Sequence, residues 1–289
     1  LPSIPRYKTM NAPKHKFRDL LIIERLGSGA MGDVYQCIDQ GTGKPVAVKW
    51  LHRSGMNKRF IEEARILASI QHPGIAQFIK FEQHDKDAYL VMEYVEGLTL
   101  EKLIHHHGKL PETFALKIAL QIATALNYLH DRQIIHRDLK ASNIKITKTG
   151  QVKLLDFGIA KAQFSEKLTA DGFVIGSTPY LAPEQFKQDY SPKIDLWALG
   201  ILIYQMLTGH LPFSASSEIE LRAKIQKGDY LSPKIFAPEI NKSTHKIIRK
   251  LLAVRPEKRW SADELIQHLQ DKELGSFWNN WVAKLKSNL

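Results

Sequence analysis

Hydrophobic residues change their spacing once along this chain. From residue 17 to about 94 they fall in short β-rich runs, among them Leu20-Leu21-Ile22-Ile23 and Val46-Ala47-Val48, which predict strands. One stretch interrupts them: over residues 58–70, Phe60, Ala64, Leu67 and Ala68 recur at helical spacing. Beyond about Thr99 helical periodicity takes over. Residues 111–130 predict a long helix with Pro-Glu in its first turn, burying Leu116, Ala119, Leu120, Ala123, Leu126 and Tyr128. Residues 191–207, 243–253 and 261–269 predict further helices, and Ile144-Lys145-Ile146 and Val152-Lys153-Leu154-Leu155 predict short strands. The fold class is therefore α+β: a leader or linker over residues 1–16, a small β-rich lobe with one helix over 17–94, and a larger, mainly helical lobe over 95–289.

Composition narrows the picture without supplying chemistry. The 289 residues are 44% hydrophobic and 25% charged, ordinary globular values that argue against wholesale disorder and against a coiled coil. Cys37 is the single cysteine, which excludes an intramolecular disulfide framework and a cysteine-based zinc site, and points to a reducing compartment. The longest nearly apolar run, residues 198–207, is short of the roughly 18 residues of a membrane span. A net charge of +11 admits an anionic partner, but the lysines do not cluster into an arginine-rich arm, so a solvated surface is the simpler reading and no specific nucleic acid is expected. His105-His106-His107 reads as a polar loop rather than a metal site. The chain opens on Leu1, which leaves room for a longer protein.

The chemistry lies in an ordered series of short motifs. Gly27, Gly29 and Gly32 form G-x-G-x-x-G ahead of Val34, and glycines there let backbone N–H groups approach anionic oxygens. A glycine-rich hairpin turn is the plain alternative. A dinucleotide site is the other, and it requires a helix directly after the glycines, where this chain continues as a strand through Cys37. Val46-Ala47-Val48-Lys49 places a charge at the end of an apolar strand, where it needs a partner; Glu63 is the candidate and Glu62 its rival. His136-Arg137-Asp138-Leu139-Lys140-Ala141-Ser142-Asn143 follows the long helix, then come Asp156-Phe157-Gly158 and Ala182-Pro183-Glu184. Each is a common accident alone, but in this order they form the protein-kinase signature.

Over residues 17–269 the chain thus resembles Hanks-type protein kinases, most closely the eukaryote-like serine/threonine kinases of bacteria, through Gly-x-Met-Gly-x-Val-Tyr in the loop and Leu181-Ala182-Pro183-Glu184-Gln185. The resemblance implies a bilobal kinase fold, ATP as phosphoryl donor and Mg²⁺ as cofactor. It implies that Lys49, aimed by Glu63, holds the α- and β-phosphates. Asp156 and Asn143 would hold the metal, Asp138 would act as catalytic base, and Lys140 would neutralise the transferring phosphoryl group. Adenine would pack against Val34 and Ala47 on one side and Ile144 on the other, with backbone hydrogen bonds from Glu93 and Val95 and with Met92 gating the space behind. Asp195 would anchor the catalytic loop and Arg259 would pair with Glu184. Lys140 and Ser177, the latter in the substrate pocket, match the serine/threonine pattern, so the expected partner is a protein carrying a Ser or Thr acceptor.

Three further expectations concern regulation and context. Activation-segment control would run through Arg137 and a phosphorylated Thr169, with Asp171 supplying part of the charge from the start; a segment ordered by packing around Phe173 is the alternative. In the C-terminal segment Trp278, Val282, Leu285 and Leu289 form an apolar stripe that reads as a helix closing onto its own domain, or as a membrane- or partner-docking helix beside Lys284 and Lys286. A cytoplasmic location follows, in a bacterium or, if exported, in host cytosol; the sequence leaves oligomeric state open. A pseudokinase-type nucleotide-binding scaffold is the rival function. It predicts loss of one of Lys49, Asp138, Asn143 or Asp156, and all are present.

Overall fold

In the computed structural model, residues 19–29, 32–51, 68–84, 87–155 and 178–270 are described. They fall into two compact units, the second taking residues 72–75 as well as everything from Glu96 onward. The first unit is an antiparallel sheet of five strands in the order β1-β2-β3-β5-β4: β1 Leu20–Gly29, β2 Gly32–Asp39, β3 Pro45–Leu51, β4 Phe78–His84 and β5 Asp87–Glu93. Strand alternation gives this sheet two different faces. Tyr35, Cys37, Val46, Val48, Tyr89 and Val91 pack with Leu20 into one core, so Cys37 is a packing residue; burial pushes its thiol up to about 12. The opposite face carries Ala47 and Lys49. Of the predicted interrupting helix, Phe60, Ala64 and Leu67 lie outside the described residues, and Ala68 is exposed.

The second unit is built on helices. β6 Leu98–Thr99 leads into α1 Leu100–His107, and α2 Glu112–His130 follows. β7 Ile144–Ile146 and β8 Val152–Leu154 complete a three-stranded sheet with β6. Beyond them lie α3 Lys193–Thr208, α4 Glu218–Lys227, α5 Lys242–Leu251 and α6 Ala262–Gln270. α3 is apolar on every side, and Ile194 through Tyr204 are buried without a break, as a helix at the centre of a unit requires. α2 packs against α3 and α6, and α3 against α5.

Two expectations are corrected. His105-His106-His107 is the last turn of α1, not a loop: Thr99 caps the helix start by accepting the Lys102 N–H at 3.2 Å, and imidazoles suit a helix C-terminus. In α2, Leu116, Ala119, Ala123 and Leu126 are buried, whereas Leu120 and Tyr128 are only partly covered. Tyr128 instead carries the Arg132 guanidinium 3.7 Å from its ring centroid and has His72 at 4.9 Å, so its ring serves a polar surface.

Candidate active site

In the first unit, strand register assembles one set of candidates. Val34 pairs with Lys49, and Ala47 with Met92, so the antiparallel pleat puts Val34, Ala47, Lys49 and Met92 on the same sheet face. Lys49 is buried there, at 9% exposure. The Glu93 N–H donates to the Gln77 carbonyl at 2.8 Å, so the backbone hydrogen bond assigned to Glu93 by resemblance falls to its carbonyl. Val95 is buried at the end of this unit. Glu63 lies outside the described residues.

The glycine hairpin divides its glycines between two tasks. Gly29 pairs with Gly32 where β1 turns into β2, and Arg25 bridges to Asp33 at 2.5 Å across the strands. Gly32 has φ +154°, and a Cβ there would stand 1.9 Å from the Trp50 carbonyl oxygen. Its missing side chain serves the neighbouring strand. A Cβ on Gly27 would meet nothing within 4 Å, which leaves that backbone open to an approaching ligand.

In the second unit the loop at residues 136–143 hangs from one buried carboxylate. Asp195, 1% exposed in the first turn of α3, accepts the His136 N–H at 2.9 Å and the Arg137 N–H at 3.0 Å, while His130 Nε2 lies 2.9 Å from Oδ2. Two successive N–H groups aimed at one carboxylate require an unusual backbone, and Arg137 adopts φ +65°. The turn delivers Asp138, whose Oδ2 receives the Asn143 Nδ2 donor at 3.0 Å and lies 3.2 Å from Lys140 Nζ. Asn143 Nδ2 also donates to the Asp138 carbonyl at 3.0 Å. Engaging the amide nitrogen in this way fixes the amide orientation and leaves Oδ1 as its acceptor oxygen. A hard oxygen donor of this kind suits Mg²⁺, so the residue present fits that ion. Its expected companion Asp156 lies outside the described residues, as do Thr169, Asp171 and Ser177. Ile144 is buried at the start of β7.

Three partners of this loop were not singled out by sequence. The half-buried Tyr180 donates its hydroxyl to Gln205 Oε1 at 2.9 Å and accepts from the Ala141 backbone N–H, and desolvation pushes its pKa up to about 12. It thereby ties the loop to α3. With Arg137, Asp138, Leu181, Gln185 and Ile194, Tyr180 lines a small hollow beside the loop. The signal available in sequence was its place four residues before Glu184. His130 was visible as the last residue of a predicted helix, but its partner lies 65 positions away. Lys193, whose Nζ donates to the Arg259 carbonyl at 2.6 Å, supports the ion pair behind the loop. In that pair Arg259, 1% exposed, grips Glu184 through both terminal nitrogens at 2.6 and 3.2 Å.

The protein kinase domain family matches residues 20–269. The chain is 37% identical over 249 residues to the serine/threonine-protein kinase PrkC of Bacillus subtilis, covering 84% of this chain and 38% of that protein. It is also 37% identical over 253 residues to a probable serine/threonine-protein kinase, SCO3848, of Streptomyces coelicolor, covering 83% and 38% respectively. The chain therefore spans well under half the length of these relatives. A crystal structure of Rad53 1-466 in complex with AMP-PNP superposes with a TM-score of 0.77 at 35% identity, covering 87% of this chain and 65% of that one.

Proposed function

Since the chain belongs to the protein kinase domain family, we propose that it transfers the γ-phosphoryl group of ATP to serine and threonine hydroxyls of protein substrates. The observation that carries this reading is the Asp138 carboxylate, held on one oxygen by Asn143 Nδ2 at 3.0 Å and by Lys140 Nζ at 3.2 Å. A carboxylate so oriented accepts the proton of an incoming hydroxyl, and the lysine beside it neutralises charge on the phosphoryl group in flight. The loop is preorganised, because Asp195 fixes its backbone before substrate arrives.

The first unit binds the nucleotide. Lys49 holds the α- and β-phosphates beneath the backbone of Gly27 and Gly29, Val34 and Ala47 offer adenine an apolar face, and Met92 gates the space behind it. Glu93 and Val95 supply its backbone hydrogen bonds. Asn143 and Asp156 would hold Mg²⁺, which would supply charge neutralisation for the transfer. Arg137 receives a phosphate on Thr169: its buried Nε has no hydrogen-bond partner among the described residues.

Incubation with labelled ATP, Mg²⁺ and a mixed protein substrate, followed by phosphoamino-acid analysis, tests the proposal. Label on serine and threonine that disappears with Asp138→Asn supports it. Nucleotide binding without transfer by the unaltered chain would replace it with the scaffold reading, and label on tyrosine would overturn the acceptor assignment.

A further inference from the structure

The positive charge of this chain is concentrated. Over residues 227–258 eight Lys and Arg stand against three Asp and Glu, and the fold gathers several of these cations on one helix. α5 contains no Asp or Glu. Its buried stripe is Thr244, Ile247, Ile248 and Leu251, so helical geometry turns Lys242, Lys246, Arg249 and Lys250 to solvent, and all four are exposed. Lys234, in the turn beside the helix, extends this face. Burial first, then the charges of Arg249 and Lys234, hold His245 below the ordinary imidazole value, which places both cations near one point of α5.

These cations differ from other surface lysines. Lys80, Lys109, Lys148 and Lys224 each lie against a glutamate. Among the described residues no carboxylate lies within ion-pair distance of Lys234, Lys242, Lys246, Arg249 or Lys250. Two acids come near and both are engaged elsewhere. Glu264 accepts the Ser261 N–H at 2.7 Å, and Glu112 accepts from Asn241 and Thr244 at the start of α5. Large apolar side chains stand beside the charges: Leu231 and Ile235, on either side of Lys234 in sequence, are 58% and 62% exposed.

Concentrated cations call for an anionic surface, and the side chains select which kind. Four of the five are lysines, compact point charges without the planar fork with which arginine reads individual phosphates. Leu231 and Ile235 have no use against a nucleic-acid backbone. A bilayer with anionic headgroups uses both features, because its surface potential attracts summed charge and its acyl boundary accepts exposed aliphatic groups. We propose that the outer face of α5, with the turn at residues 231–235, docks this chain onto an anionic phospholipid surface. Lys242, Lys246, Arg249, Lys250 and Lys234 supply the attraction, and Leu231 and Ile235 enter the headgroup boundary.

Cosedimentation of the 289-residue chain with phosphatidylcholine vesicles, with and without phosphatidylserine, tests this. The chain should bind only the phosphatidylserine vesicles and should be released by salt. The triple variant Lys246→Glu/Arg249→Glu/Lys250→Glu should bind on the order of 10²-fold more weakly or worse, and Leu231→Ser/Ile235→Ser several-fold more weakly. A distant set with the same change in net charge, Lys44→Glu/Lys102→Glu/Lys148→Glu, should bind nearly as the unaltered chain does. Melting curves check that each variant folds, and Lys246→Gln/Arg249→Gln/Lys250→Gln replaces the triple variant should it not. Equal loss from the distant set would reduce the effect to net charge and overturn the proposal. So would equal binding to neutral vesicles, or binding to an oligonucleotide or polyglutamate with none to phosphatidylserine vesicles.

Discussion

The loop at residues 136–143 depends on side chains to which the proposed transfer gives no chemical step. Asp195 holds two consecutive N–H groups, and Tyr180 bridges the Ala141 N–H to Gln205. Tyr180→Phe removes one oxygen and leaves the Ala141 N–H, in a residue only 2% exposed, without that acceptor. A group so orphaned costs about 1–3 kcal/mol, so a thermal melt should show clear destabilisation. Steady-state kinetics should show a lower kcat with the KM for ATP little changed, and a kcat equal to that of the unaltered chain would show that the loop does not need this tie. Asp138, Lys140 and Asn143 could be singled out in sequence because the resemblance assigns each a group that phosphoryl transfer requires, at a spacing that fits one loop, and the structure brings the three side chains together. Tyr180 was not, because its hydroxyl acts on a residue of another element 25 positions away, and no local pattern encodes that contact.

Among the elements, the glycine hairpin separates two reasons for glycine that look identical in sequence. Gly32→Ala would drive a Cβ to within 1.9 Å of the Trp50 carbonyl oxygen, at a φ of +154° that alanine avoids. It should destabilise the first unit by about 1–3 kcal/mol, measurable in a urea melt, whether or not nucleotide is present. Gly27→Ala meets open space. It should leave the melt unchanged and weaken ATP binding in a direct titration, and the reverse pattern would reassign both glycines. Four helices of the second unit were legible to within a residue or two from apolar spacing, residues 191–207 being expected where α3 runs Lys193–Thr208, whereas α1 and the largely polar α4 were not. Spacing could not tell burial from partial burial, as Leu120 and Tyr128 show, because period alone does not say how far a neighbouring element reaches. Nor could it assign the histidines of α1, where a cap at Thr99 outweighs their weak helix preference.

At the level of the whole molecule, stability rests on buried polar groups as well as on apolar packing. Arg259→Leu would leave the Glu184 carboxylate, 7% exposed, without its partner, a loss of about 3–5 kcal/mol. The double variant Arg259→Leu/Glu184→Leu should recover part of that in a denaturant melt; a double variant weaker than the single one would deny that the stranded charge is the cause. Alkali provides a second test. Burial raises Tyr180 and Tyr204 from 10.0, and Cys37 from 9.0, to about 12 in each case. The unfolded chain therefore releases these protons first, so their contribution is complete below about pH 9 and is lost as pH rises towards 12. Tyr180→Phe/Cys37→Ala should flatten that decline in urea melts across this range, and an unchanged slope would place its cause elsewhere. The most direct test of the whole account is single-turnover phosphoryl transfer from ATP to a serine- or threonine-containing protein, comparing the unaltered chain with Asp138→Asn while nucleotide affinity is measured in parallel. The account predicts a fall in rate of about 10²- to 10⁴-fold at unchanged affinity; transfer at the original rate would contradict it.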